Sequence, residues 1–146
     1  MLQVSKNSDH PVISKILVAV DGSETSSNAA ENASELAEKY GADLIALRIV
    51  SPNIKSSEIF GLAKKYGQKI VDEVKHEASA KKLNVQTEVL WDVGSVTKAI
   101  VEYAENNNAN LIVLGTRGIA GIKRMLLGST ASGVVTYSHC PVLVVK

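Results

Sequence analysis

The chain has little cysteine, proline or aromatic character: one Cys, three Pro and 4% aromatic residues among 146. A lone Cys140 cannot close an intrachain disulfide. That excludes the disulfide-stapled scaffolds and fits a reducing, cytoplasmic setting. An excess of one charge is missing too, since 16 basic and 15 acidic residues leave a net +1. This balance gives no electrostatic case for a nucleic-acid or anionic-membrane partner. No uninterrupted apolar run approaches the ~18 residues of a membrane span. Met1 to His10 lacks the apolar core of a signal peptide, and residues 1–12 read as a short, polar, flexible tail. His10, His76 and His139 are scattered, with no Cys/His spacing of a zinc site. No Ser-His-Asp arrangement can be assigned, and Cys140 ahead of Pro141 reads as a small packed residue rather than a nucleophile.

What is present is regular. A chain of this length buries roughly 70% of its unfolded surface and needs no staples; residues 1–146 read as one domain. Ile16-Leu17-Val18-Ala19-Val20 is a first buried strand. Ala29, Ala33, Leu36, Ala37 and Tyr40 then mark one face of a helix that Ser23 or Thr25 caps and Gly41 stops. Leu44 to Val50 is a second strand, ended by Ser51-Pro52-Asn53. Ile59, Ala63, Tyr66, Ile70, Val74 and Ala78 predict a long second helix. Val85 to Trp91 alternates, as a strand near a sheet edge does. Asp92-Val93-Gly94-Ser95 turns into a third helix through Val96, Ile100, Tyr103 and Ala104, closed by Asn106-Asn107-Asn108. A strand at Leu111–Leu114, a helix at Ala131–Tyr137 and a strand at Val142–Val145 complete the pattern. This alternation predicts an open parallel α/β sheet with helices on both faces. In such sheets ligands sit at the carboxyl ends of strands, where the strand order reverses.

Two loops lie at such ends: Asp21-Gly22-Ser23 and the segment 115–130. The second reads Gly115-Thr116-Arg117-Gly118, nine residues, then Gly128-Ser129-Thr130 at a helix start. Glycines let backbone approach a ligand where a Cβ would collide, and a helix start offers free N–H groups and a positive dipole end. The set reads as an anion site, with Ser129 and Thr130 hydroxyls adding donors and Arg117 adding charge. The alternative is a tight turn and a plain helix start. Neither G-x-x-x-x-G-K-[ST] nor G-x-G-x-x-G is present. Asp21 likewise has two readings, a turn-fixing Asp or a ligand contact.

The spacing Gly-2x-Gly-9x-Gly-[ST] after a fourth strand resembles the ATP-binding signature of the universal stress protein family. Lys15 to Ser23, Gly94 with Ile100 to Ala104, Ala109 to Gly118, and Cys140 to Val145 resemble further segments of that family. The similarity covers about residues 13–146. It implies a Rossmann-like sheet of order 3-2-1-4-5, a homodimer, and bound ATP, or AMP or ADP, with Mg²⁺ held by the phosphates. Backbone at Ala19, Ile49 and Leu114 would surround the adenine. Asp21 would hold the ribose or a metal-bound phosphate environment, and Gly115, Gly118, Gly128, Ser129 and Thr130 the phosphates. Asn110 departs from the Asp common in the family, at a position outside the pocket.

In the implied order Val142–Val145 is an apolar edge strand, and pairing with the same strand of a second copy would cover it. The expected function is that of an ATP-binding, dimeric regulator of the stress response. No base is placed to activate water, so no catalytic residue is assigned and hydrolysis would be at most slow. Two alternatives remain: a nucleotide hydrolase or transferase of the same superfamily, and an interaction module without nucleotide.

Overall fold

Continuous Val/Ile/Leu runs can be buried on both sides only if helices cover both faces of the sheet. The computed structural model, which describes residues 13–50, 56–91, 94–117 and 127–146, has that arrangement. In chain order come β1 (Lys15–Ala19), α1 (Glu24–Tyr40), β2 (Asp43–Ile49), α2 (Ser57–Ser79), β3 (Val85–Leu90), α3 (Val96–Asn106), β4 (Leu111–Gly115), α4 (Ser129–Tyr137) and β5 (Val142–Val145). Among the described residues the strands form one sheet of order β3-β2-β1-β4-β5, the expected order. Every pairing is parallel. Ala19 lies between Leu47 of β2 and Leu114 of β4.

Strand side chains alternate between faces, and the core divides accordingly. Ile16, Val18, Leu44, Ala46 and Val113 pack with Ala29, Ala33 and Ala37 of α1 and with Val71 and Ala78 of α2. Leu17, Ile45, Leu47, Ile49, Ile112 and Leu114 pack with Ile100 and Ala104 of α3 and with Ala131 and Val134 of α4. One face thus carries α1 and α2, the other α3 and α4.

The helix ends follow local chemistry. Of the two cap candidates, Ser23 caps α1, its side chain accepting from the Ser26 N–H. Thr25 lies inside the first turn. Gly41 ends α1 in the left-handed region at φ 65°, donating to the Ala37 carbonyl. Ser95 caps α3 by accepting from the Lys98 N–H. The turn residues 51–53 and 92–93 lie outside the described residues. Asn110 pins the start of β4 to β1: its Oδ1 accepts from the backbone N–H groups of Ser14 and Lys15.

The long second helix differs from its expected stripe. Ile70, Val74 and Ala78 are buried, but Ile59 and Tyr66 are 58% and 53% exposed. The cause is length. At 23 residues the helix runs about 35 Å, whereas β2, with seven residues, spans roughly 23 Å. The amino-terminal half of α2 overhangs the carboxyl edge of the sheet.

Gly115 ends β4 where α1 begins. A Cβ at this position would meet the Thr25 side-chain hydroxyl, the Thr25 carbonyl carbon at 2.8 Å and the Ser26 nitrogen at 2.9 Å. Backbone cannot yield as a flexible side chain does, so Gly115→Ala is expected to destabilise by about 1–3 kcal/mol. Ile112→Ala, at a fully buried site, should cost about 2–5 kcal/mol. Lys98 and Glu102 form an exposed pair at 3.7 Å, and Lys98→Ala should cost under about 0.5 kcal/mol. Urea unfolding of the three variants checks this ranking.

Candidate functional site

From β1 the sheet grows one way through β2 and β3 and the other way through β4 and β5. The crevice between the carboxyl ends of β1 and β4 is therefore the switch point, and both suspected loops leave the sheet there. Asp21 follows β1. Its Oδ1 accepts from the Ser23 N–H at 2.9 Å, and its own N–H donates to Ser26 Oγ at 3.3 Å. This is an Asx turn, completed by Gly22 at φ +88°. The turn uses one carboxylate oxygen, and Oδ2 makes no hydrogen bond among the described residues.

The glycine loop starts under the control of α1. Thr25 Oγ1 donates to the Arg117 carbonyl at 2.8 Å, and Ser23 Oγ donates to the same oxygen at 3.4 Å. The Thr116 N–H donates to the Val145 carbonyl, and the Thr116 carbonyl accepts from the Gly128 N–H at 2.6 Å. The two ends of the loop are thereby held together on the carboxyl edge. Gly118 lies outside the described residues.

Gly128 is the N-cap of α4, at φ −67° and ψ 163°, with no side chain to cap the helix. Its carbonyl accepts from the Ser132 N–H at 2.9 Å. The N–H groups of Ser129, Thr130 and Ala131 lie in the first turn, where no intrahelical carbonyl reaches them. They carry the positive end of the α4 dipole. The Gly128 N–H is itself engaged by Thr116, so any anion at this end would be held chiefly by Ser129 and Thr130. Ser129 is exposed and Thr130 half-buried.

On the α3 and α4 side of the sheet lies an apolar floor. Ala19 and Ile49 end β1 and β2, Leu114 is the penultimate residue of β4, and all three pack into the layer that contains Ala131 and Val134 of α4. The structure therefore brings Ala19, Ile49, Leu114, Gly128, Ser129 and Thr130 to one face of the carboxyl edge. Asp21 and Arg117 lie at its rim. Gly115 turns its Cβ-less side the other way, toward α1, which gives that glycine a packing reason of its own.

Sequence reasoning passed over Arg48. Its side chain lies on the α2 face, 3.1 Å (at Cγ) from where a Cβ on Gly67 would stand. Its guanidinium donates to the Ile49 carbonyl. Its Nε is buried and finds no partner among the described residues. Burial lowers its pKa, while the Asp21 carboxylate acts in the opposite direction. The signal was present: Arg48 is the one charge within the run Leu44 to Val50.

Comparison with known proteins gives the family. The model of the universal stress protein family matches residues 13–146. Universal stress protein MJ0531 of Methanocaldococcus jannaschii is 39% identical over 140 residues, covering 90% of this chain and 81% of that protein. Universal stress protein YxiE of Bacillus subtilis is 34% identical over 150 residues, covering 92% of this chain and 100% of that one. Among solved structures, a universal stress protein in complex with cAMP is 26% identical, with a TM-score of 0.70, covering 92% of this chain and 98% of its own. On this evidence the chain belongs to the universal stress protein family.

Proposed function

We propose that the chain binds ATP, or AMP or ADP, at this switch point and acts as a dimeric, nucleotide-dependent regulator of the stress response in the cytoplasm. One observation carries the proposal: the uncapped start of α4 is held to Thr116 at the carboxyl edge, on the sheet face that also carries Ala19, Ile49 and Leu114. An apolar floor with backbone edges suits a flat base, and free helix amides suit phosphates. Asp21 Oδ2 is available to the ribose or to a metal-bound phosphate environment. The phosphates would lie along Gly115, Gly118, Gly128, Ser129 and Thr130, with Arg117 contributing charge. The solved relative in complex with cAMP supports an adenine nucleotide as the ligand class. Among the described residues no three His, Cys, Asp or Glu side chains gather as a metal site; Mg²⁺ would arrive with the phosphates, which supply its oxygen ligands.

The nucleotide is held rather than rapidly consumed. Asp21, the carboxylate at the rim, has one oxygen committed to the turn, and general-base catalysis needs a carboxylate aligned on the attacking water. Hydrolysis, where it occurs, would be slow.

The dimer would form through β5. Among the described residues it pairs with β4 alone, and Val142, Leu143, Val144 and Val145 are all half-buried. An apolar strand with an unpaired edge is a template for a second strand. Two copies of β5 meeting about a twofold axis would complete both sheets. Val135 and Tyr137 of the adjoining α4 are 49% and 72% exposed and would extend the interface.

Purified protein is expected to release an adenine nucleotide on denaturation, visible by chromatography. Gly128→Asp separates folding from binding. At φ −67° and ψ 163° any residue is tolerated, and Asp is a favoured N-cap. Stability should hold while ATP affinity falls at least about tenfold, because a fixed carboxylate repels phosphate. Gly118→Val should also block binding. ATP titration of both variants checks the assignment, and affinities equal to the parent's would refute it. Val144→Lys should convert dimer to monomer in analytical ultracentrifugation. A monomeric parent, or an unchanged mass in the variant, would remove β5 as the interface.

A further inference from the structure

Arg48 is costly where it stands. A guanidinium remains charged in any protein and presents five N–H donors. Here it rises from a strand whose other members from Leu44 to Val50 are apolar, and its buried Nε has no partner among the described residues. An apolar side chain of similar length would fill the space between β2 and Gly67 without that desolvation. Something held by the charged end has to compensate.

The backbone pattern shows what that is. In a parallel strand successive residues direct their N–H and C=O groups to alternate neighbours. The Leu47 carbonyl accepts from the Val20 N–H on the β1 side, and the Val50 N–H donates to the Leu90 carbonyl on the β3 side. Ile49 therefore directs both polar groups toward β1. Beyond Val20, however, β1 is no longer a strand: the Asp21 N–H turns to Ser26 Oγ. The Ile49 peptide groups stand past the last rung shared with β1, open at the carboxyl edge. The Arg48 guanidinium bonds the Ile49 carbonyl, with Asp21 near enough for its charge to act on the guanidinium.

We propose that Arg48 is a positioning residue that presets the base-binding edge of the site by holding the Ile49 carbonyl in place. This rests on the nucleotide site proposed above. The carbonyl is held by the guanidinium and the Val50 N–H of the same peptide unit by Leu90, which leaves the Ile49 N–H, on the preceding peptide unit, to meet the base. Arg48 thereby acts on the nucleoside part of the ligand, from the sheet face opposite the α4 phosphate end.

The test is calorimetric titration of the full chain and its R48M and R48K variants with ATP and with adenosine. Met keeps the stem that packs on Gly67, so a role in packing alone predicts parent-like affinity. The expected result for R48M is a loss of about tenfold, or ~1.4 kcal/mol, for ATP and adenosine alike, with the unfolding midpoint of ligand-free protein within about 4 °C of the parent. R48K, which restores a charge and a donor, should recover part of the loss. R48M that binds adenosine like the parent, or that loses ATP alone, overturns the role of Arg48 while the site stands. A parent chain that binds neither ligand overturns the site and this role together. Should R48M fail to fold, ¹⁵N spectra of the unsubstituted protein decide. The Arg48 Nε–H resonance, identified by its absence from R48K, must shift with adenosine and not with inorganic tripolyphosphate, and any other pattern overturns the proposal.

Discussion

The parallel pairing of β1 with β4 is the constraint on which the rest of the molecule depends. Ile16 sits beside Leu111, and Ala19 beside Leu114, joining segments from opposite ends of the chain. The β1–β4 boundary separates β2 and β3 on one side from β5 on the other, and this reversal opens the crevice at the carboxyl edge. Without it the Asp21 turn and the glycine loop would leave the sheet far apart. Ile16–Val18 and Leu111–Leu114 of these strands are fully or nearly fully buried, so the site stands on a part of the structure that deforms little.

Once the strands are side by side, small contacts fix the loops. Gly115 allows the start of α1 to lie directly against the end of β4. From there Thr25 and Ser23 reach the Arg117 carbonyl, and Thr116 engages the Gly128 N–H. These contacts hold the start of α4 at the carboxyl edge, on the sheet face that carries Ala19, Ile49 and Leu114. Local hydrogen bonds thus set the direction of a helix dipole, and the dipole supplies the electrostatics of the site.

Much of this was legible in the sequence because it is written in periodicity and in turn residues. Apolar runs of strand length separated by helical patterns reveal the strands, and Ser23, Gly41 and Ser95 mark helix ends through their own chemistry. The paired loops revealed the switch point, and their resemblance to one family carried the strand order. Other features were not legible, each for a physical reason. The exposure of Ile59 and Tyr66 depends on α2 being longer than the sheet it covers, which a local pattern does not encode. The packing reason for Gly115 lies in α1, far away in sequence. The engagement of the Gly128 N–H by Thr116 joins positions well separated in sequence. Arg48 was visible as a charge in an apolar strand, but its acceptor, the next carbonyl along, emerges only once β1 turns away after Val20. Gly118 belongs to the recognised motif and lies outside the described residues.

The central claim is that this carboxyl edge holds an adenine nucleotide. Calorimetric titration of nucleotide-stripped protein with ATP tests it most directly. The account predicts saturable binding of one ATP per chain, competed by AMP and ADP. No saturable binding of ATP by correctly folded, stripped protein would contradict it.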